Sequence, residues 1–310
     1  NTPAPAPAPA LSCEVRGAPI LPKGAGLWQS AEGNSQAATF GGQPVGLGTT
    51  SFPANGGRVG VRTSGGVRIE GFVDGAELPL FTASDIDIVP GHLWLSSGQR
   101  VTFASASIGL TVRAAVSGPI VQSFTITAPC TSFSLDKRPR GHWEVPGNGR
   151  GYLPQQSSLG LRDAPGGSVV QTLQMAQPSG VLLWSTESQG GFVRVLYHED
   201  LVIDAWVAES EVSALTRGET MDRLLPPQLA TGSARLSIAG QPTIVRAAKE
   251  VPLRLSPKDT DSPLGFIEPG GEVYALETVL GWTSVLPRAL NVLPPEGRSF
   301  WVPAKEIGGR

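Results

Sequence analysis

Short strand-like runs recur in the same order along this chain, about every 60 residues. Each run is bounded by Gly, Pro, Ser or Asn, and helical periodicity is almost absent. Representative runs are VGVRT at 59–63, VTFAS at 101–105, VLLWS at 181–185 and EVYALET at 272–278. Such runs predict β-strands separated by tight turns. A recurrence of this length indicates a tandem array of small β units.

The composition supports packed β domains and argues against two classes of partner. The 310 residues suit roughly two to four domains, and 40% of them are hydrophobic despite 39 glycines and 28 prolines. Charged residues are only 16% and the net charge is −2, so no basic field exists to hold a phosphate backbone and no nucleic-acid partner is expected. No run approaches the ~20 apolar residues of a membrane-spanning helix, so no transmembrane segment is expected.

The recurrence divides the chain into a tail, four units and two Pro/Gly-rich connectors. The expected boundaries are 1–10 for an extended Ala-Pro tail, 11–77 for unit 1, 78–135 for unit 2, 136–157 for the first connector, 158–213 for unit 3, 214–249 for the second connector and 250–310 for unit 4. A few short strands cannot bury a face as an open sheet, whereas a strongly bent sheet closed on itself can. The sequence therefore predicts an all-β chain of four tandem small β-barrels.

Unit 4 carries the clearest family motifs. It reads VPLRLSPKDTDSPLGFIEPGGEVYALETVLGWTSVL and later FWVPAKEI. The run Leu253-Arg254-Leu255-Ser256, the glycines at 265, 270 and 271, Gly281-Trp282 and Trp301-Val302 make it similar to a bacterial SH3 (SH3b) domain. The resemblance implies four SH3-like barrels in a protein of the cell envelope. It implies no catalytic nucleophile and no cofactor.

Unit 3 resembles the same family almost as well, and units 1 and 2 resemble it more loosely. The match in unit 3 runs through Leu161-Arg162, Gly191-Phe192-Val193 and Ala205-Trp206-Val207. Unit 2 departs from the pattern, because Ala128-Pro129 stands where the family has Trp-Val. The resemblance covers roughly three quarters of the chain.

The two cysteines, Cys13 and Cys130, are a disulfide candidate if the protein is exported and buried thiols if it is cytosolic. We expect the disulfide, joining the start of unit 1 to the end of unit 2.

Motifs of catalysis and metal binding are missing from the sequence. His92, His142 and His198 lie in different parts of the chain without metal-ligand spacing, so no metal site is expected. No HExxH, GxSxG or P-loop occurs, and no catalytic residue is assigned. The acidic pairs Asp85/Asp87 and Glu199-Asp200 are interpreted as solvated loop or strand positions rather than calcium ligands.

Five of the seven tryptophans are candidate binding residues: Trp28, Trp94, Trp143, Trp184 and Trp282. The first two lie in long first loops and the last two in strands near the same rim, where barrel packing and ligand contact are both open. Trp143 lies in a polar connector, which favours an inter-domain or partner contact. The remaining two, Trp206 and Trp301, fall in the closing-strand motif and are expected in the core.

These features favour a non-enzymatic, exported scaffold whose partners are protein subunits of a cell-envelope or extracellular assembly. Contact through the Ala-Pro tail and the unit loops would supply the binding. One alternative is a peptidoglycan- or glycan-binding SH3b protein. A second alternative is an enzyme of unrecognised type.

Overall fold

The computed structural model describes residues 11–139, 143–215, 243–258, 260 and 262–307. The Ala-Pro tail at 1–10, His142 and most of the second connector lie outside these residues. Strand accounts for 54% of the structure and helix for 5%, which confirms the all-β class. No helix among the described residues is long and apolar enough to cross a membrane.

The strands fall into four consecutive sets, which we call repeats 1 to 4. Repeat 1 contains β1 (Arg16–Gly17), β2 (Gly26–Trp28), β3 (Gln36–Phe40), β4 (Gly46–Ser51), β5 (Arg58–Ser64) and β6 (Val67–Asp74). Repeat 2 contains β7 (Leu80–Thr82), β8 (Ile86–Val89), β9 (Leu93–Leu95), β10 (Arg100–Ala106), β11 (Leu110–Val116), β12 (Gln122–Ala128), a 3-10 turn (Cys130–Ser132) and β13 (Phe133–Ser134).

Repeats 3 and 4 begin upstream of units 3 and 4. Repeat 3 contains β14 (Arg150–Pro154), β15 (Ser158–Arg162), β16 (Val169–Gln174), a 3-10 turn (Pro178–Gly180), β17 (Leu183–Gln189), β18 (Phe192–His198), β19 (Leu201–Ala208), a 3-10 turn (Glu209–Glu211) and β20 (Val212–Ala214). Repeat 4 contains β21 (Thr243–Arg246), β22 (Val251–Leu253), β23 (Gly265–Ile267), β24 (Glu272–Val279), β25 (Trp282–Pro287), β26 (Val292–Leu293), β27 (Phe300–Pro303) and the helix α1 (Ala304–Ile307).

Every repeat uses the same order of elements. A leading strand (β1, β7, β14, β21) is followed by a leading hairpin (β2–β3, β8–β9, β15–β16, β22–β23) and then by a three-stranded antiparallel meander (β4–β5–β6, β10–β11–β12, β17–β18–β19, β24–β25–β27). The leading strand pairs with the first meander strand in each case. A 3-10 turn or α1 follows the meander in repeats 2, 3 and 4, and the closing strands β13 and β20 follow it in repeats 2 and 3.

Alternating burial explains why these segments are strands. In β6, Val67, Ile69 and Val73 point into the core, and Arg68, Glu70 and Asp74 lie on the other face. Inward residues from all four repeats merge into one hydrophobic cluster. The chain therefore buries a single extended core.

In the described residues the strands form four sheets, and none of them closes into a barrel. Two of the four leading hairpins pair with a neighbouring repeat. Strand β9 of repeat 2 pairs with β19 of repeat 3, and β23 of repeat 4 pairs with β6 of repeat 1. Two shorter contacts accompany them: Ile120 pairs with Met175, and β26 pairs with β3. Repeats 2 and 3 are thus joined in the same way as repeats 4 and 1.

Repeats 1 and 2 are joined by a disulfide and by side-chain packing. Cys13 and Cys130 are disulfide-bonded, with Cα atoms 6.2 Å apart, which confirms the predicted pair. The rings of Phe52 and Phe103 pack with their centroids 5.3 Å apart. The amide of Ala18 also donates a hydrogen bond to the Asp136 carboxylate, 2.7 Å away. These contacts link the pair formed by repeats 4 and 1 to the pair formed by repeats 2 and 3. The spatial order of the repeats is therefore 4, 1, 2, 3.

Removing the disulfide with Cys13→Ser and Cys130→Ser is expected to destabilise the folded protein by about 2–5 kcal/mol. The sequence separation of 117 residues is the reason, because opening a loop of this size returns much chain entropy to the unfolded state. Urea denaturation followed by tryptophan fluorescence measures the change. An unchanged midpoint relative to the oxidised native protein would contradict the expectation.

Replacing Gly265 with Val is expected to separate β23 from β6. A Cβ atom at this position would lie 2.2 Å from the carbonyl oxygen of Arg68, so the two backbones could not remain paired. Hydrogen exchange should become faster at 67–69 and 265–267. Gly147→Val is the control, because nothing lies within 4 Å of that Cβ position. Equal protection in both variants would show that the pairing tolerates a side chain.

Candidate functional site

A cavity of about 410 Å³ surrounds Trp28 in repeat 1. Trp28 is half-buried at the end of β2, and its indole ring lies against Gly26, where a Cβ would be 2.8 Å from the ring. The polar lining residues come from other parts of the repeat: Lys23, Gln36, Arg58, Asp74 and Glu77. The cavity thus combines an aromatic ring with amide, carboxylate and cationic groups, which is the chemistry of a small polar ligand site.

Arg58 fixes both the tryptophan and the neighbouring loop. Its guanidinium carbon lies 4.0 Å from the centroid of the Trp28 ring, a cation–π contact. The same guanidinium donates hydrogen bonds to the carbonyl oxygens of Ser30 and Gly33. Trp28 could be singled out from the sequence, whereas Arg58 and the other polar lining residues could not. The lining residues form no motif, and Arg58, Asp74 and Glu77 lie far from Trp28 in the chain.

Trp94 lies at the junction of repeats 2 and 3. It is the central residue of β9, pairs with Val202 of β19 and with Asp87 of β8, and is half-buried. Its neighbours Leu93 and Leu95 are buried on the opposite face. Trp94 therefore belongs to the outer face of the strand that joins the two repeats.

Trp143 contacts repeat 3. Its ring stacks on the imidazole of His198 with centroids 5.5 Å apart and planes 2° from parallel. This contact attaches the connector after repeat 2 to the end of β18. The inter-domain or partner role expected for Trp143 stays a prediction.

Trp184 and Trp282 occupy different environments. Trp184 is half-buried in β17, between Gly151 of β14 and Leu196 of β18. Trp282 is only 8% exposed in β25, so it packs in the core of repeat 4. The structure thus does not bring Trp28, Trp94, Trp143, Trp184 and Trp282 into one groove.

Trp206 and Trp301, the tryptophans of the closing-strand motif, each pair through the backbone with an arginine of their own repeat. Arg162 pairs with Trp206, and Arg254 pairs with Trp301. Each guanidinium also lies over an aromatic ring of its own repeat, Phe192 at 5.7 Å in one case and Trp282 at 6.0 Å in the other. Trp206 is buried as expected, whereas Trp301 is only partly buried, since Phe300 and Val302 are the inward residues of β27.

The candidate histidines and acids have structural contacts. Nδ1 of His92 lies 3.1 Å from the carbonyl oxygen of Asp204. The Asp85 carboxylate accepts a hydrogen bond from the Ser97 amide at 2.9 Å, which fixes a turn. Asp204 binds Arg194 through two hydrogen bonds of 2.7 and 2.8 Å and raises the pKa of that guanidinium. Among the described residues, no three His, Cys, Asp or Glu side chains gather into a possible metal site.

A second cavity, of about 600 Å³, lies where repeat 4 meets repeat 1. The turns Gly65-Gly66 and Gly270-Gly271 form its walls together with Arg246 and Arg288. The Gly66 amide donates to the Glu268 carboxylate at 3.2 Å, and Arg288 pairs with Glu272. Opposite charges balance in this lining, so it has no clear preference for an anion or a cation.

Comparison with models of known protein families, with curated proteins and with solved structures found no match to this chain. The similarity of units 3 and 4 to bacterial SH3 domains therefore stays a prediction.

Replacing Trp282 with Ala is expected to lower the free energy of unfolding by about 3–5 kcal/mol, because it empties a core position and removes the ring beneath Arg254. Trp143→Ala should cost only about 1 kcal/mol, since it mainly loses one ring stack. Chemical denaturation of both variants measures the difference. Equal losses would mean that Trp282 is not a core residue.

Proposed function

We propose that this protein is an exported, non-enzymatic scaffold subunit that binds protein partners in a cell-envelope or extracellular assembly. The observation that carries the proposal is the backbone pairing of β9 with β19 and of β23 with β6. These pairings join repeat 2 to repeat 3 and repeat 4 to repeat 1 by strand contacts rather than by linkers alone. A body of this kind holds its loops and strand edges at fixed distances, which suits the assembly of several partners.

The element order supports an SH3-like identity for the repeats. A leading strand, a long hairpin, a three-stranded meander, a one-turn helix and a closing strand follow one another in repeats 2 and 3. That is the order expected of an SH3-like unit, and it agrees with the motifs in the sequence. Two of the four leading hairpins join neighbouring repeats, which leaves other surfaces for partners.

Exposed apolar residues at corresponding hairpin tips favour protein partners. Ile108, between β10 and β11, is 94% exposed, and Leu280, between β24 and β25, is 95% exposed. Leu280 also has a positive φ of 49°, a strained conformation for a leucine. Val279 and Leu276 of the same hairpin are 46% and 43% exposed. A partner that covers this tip would remove apolar surface from water.

The disulfide supports an exported location. The Cys13–Cys130 bond closes a long segment of the chain. Such bonds form and persist in oxidising compartments and are rare in the cytosol. Export is therefore part of the proposal.

Glycan or peptidoglycan binding is a second candidate, favoured by the Trp28 cavity. A sugar ring could stack on an indole while hydroxyls bond to Gln36, Asp74 and Glu77. Against this candidate, Arg58 already lies over the Trp28 ring. We therefore place it second.

Site-specific photo-crosslinking in the producing organism tests the scaffold role. A benzoylphenylalanine at Leu280 should give a discrete adduct with a protein of the envelope or medium, because this side chain is almost fully exposed. The same probe at Ser188, an exposed polar residue of the corresponding hairpin in repeat 3, is the matched control. Absence of any adduct at Leu280, together with peptidoglycan co-sedimentation that Trp28→Ala abolishes, would favour the second candidate instead.

A further inference from the structure

The outer edge of the leading strand is covered in repeats 1, 2 and 3. The closing strand β13 pairs antiparallel with β7, and β20 pairs antiparallel with β14. In repeat 1, the Leu135 amide donates to the Arg16 carbonyl oxygen of β1 at 3.2 Å. In repeats 2 and 3 the covering segment belongs to the same repeat, whereas in repeat 1 it belongs to repeat 2.

Repeat 4 differs at this edge. Within the described part of the chain, β21 pairs with β24 alone, and no strand lies on its other side. Within the described residues, the leading strand of repeat 4 thus has one paired edge and one open edge.

The open edge presents the backbone groups of Ile244 and Arg246. Ala247 bonds through its amide and carbonyl to Gly271 and Gly270, on the β24 side of the strand. Successive residues of a strand direct their backbone groups to opposite sides. The N–H and C=O groups of Ile244 and Arg246 therefore point away from β24.

The exposure of the side chains in β21 agrees with the lack of a closing strand beside it among the described residues. Leu80 of β7 is 0% exposed and Tyr152 of β14 is 7% exposed, and a closing strand lies beside each of these leading strands. In β21, Val245 is only half-buried and Ile244 is 48% exposed. An uncovered edge with apolar side chains is a template for an added strand.

We infer that the open edge of β21 binds an extended segment of a partner protein, which pairs antiparallel with β21 in the place of a closing strand. This inference rests on the proposed scaffold function and names the chemistry of its partner. The binding is β-augmentation, in which backbone hydrogen bonds supply affinity and alternate side chains supply specificity.

The closing segments of repeats 2 and 3 define what the partner segment should contain. They read Phe133-Ser134-Leu135 and Val212-Ser213-Ala214, so both have the pattern apolar–Ser–apolar. Ser134 pairs with Phe81 of β7, which corresponds to Arg246 of β21.

An acidic residue flanks each closing segment. Asp136 follows the first, and Glu211 precedes the second. The two acids lie at opposite ends of their segments, and Asp136 accepts a hydrogen bond from the Ala18 amide. The feature that both closing segments share is therefore the uncharged apolar–Ser–apolar strand, which suits the apolar Ile244 and Val245.

A synthetic peptide with the sequence of residues 210–215 (SEVSAL) tests the inference on the full chain. Its fluorescein-labelled form should bind with saturation below about 1 mM in fluorescence anisotropy. A control peptide with aspartate at the two apolar positions (SEDSDL) should not bind. Hydrogen exchange should slow at Ile244 and Arg246 when the first peptide is present, and unchanged exchange there would overturn the inference.

Two substitutions at one position separate backbone pairing from side-chain contact. Ile244→Pro removes the outward amide without touching the β24 ladder, so it should weaken binding at least about tenfold. Ile244→Thr keeps the amide and the β-branched shape, so it should weaken binding less. Equal affinity of Ile244→Pro and the native chain would overturn the inference, and so would a native dimer in light scattering that Ile244→Pro converts to a monomer. If crosslinks form at Leu280 and the peptide does not bind, the scaffold function stands and only this inference falls.

Discussion

Two strands, β6 and β19, hold the array together because each is paired along both edges. One edge of β6 faces β5, and the other faces its own β2 and then β23 of repeat 4. Strand β19 is arranged in the same way, between β18 on one edge and β15 and β9 on the other. Backbone hydrogen bonds are directional and costly to leave unmade once buried. Detaching a neighbouring repeat would expose a strand edge, so the repeats depend on one another for stability.

Backbone pairing also explains how a chain with few charges joins its repeats. Arg68 and Glu250 form an ion pair of 2.7 Å between repeats 1 and 4, but both side chains are substantially exposed, so the pair contributes little. The junction depends instead on close backbone approach. A Cβ at Gly271 would lie 2.4 Å from the carbonyl oxygen of Gly66, and Gly265 is equally restricted. Glycine is required at these positions because the two repeats meet through main chain.

The all-β class and the recurrence of the strands could be predicted from the sequence, whereas the strand pairs between repeats could not. Alternation in runs such as VRIEGFVD predicts a strand correctly because the pattern is local. The leading strands β14 and β21 were assigned to connectors, since RGYLP and TIVR are too short to show alternation between polar neighbours. The disulfide was predicted because only two cysteines exist. The polar residues around Trp28 were not, because they form no motif and only the fold brings Arg58, Asp74 and Glu77 to Trp28.

The spatial order of the repeats explains why one strand edge differs from the rest. In a linear solenoid each repeat contacts only its neighbours in sequence. Here repeat 4 pairs with repeat 1, and the Gly66 amide bonds to a side chain 202 residues away. Repeats 4 and 3 therefore lie at the two ends of the array, whereas repeats 1 and 2 lie inside it. An internal repeat can have its leading strand covered by its neighbour, as Leu135 of repeat 2 covers β1. A repeat at the end needs its own closing strand: repeat 3 has β20, whereas β21 of repeat 4 has none among the described residues. Among the described residues, the open edge of β21 thus lies at one end of the array, where a partner can reach it without separating any pair.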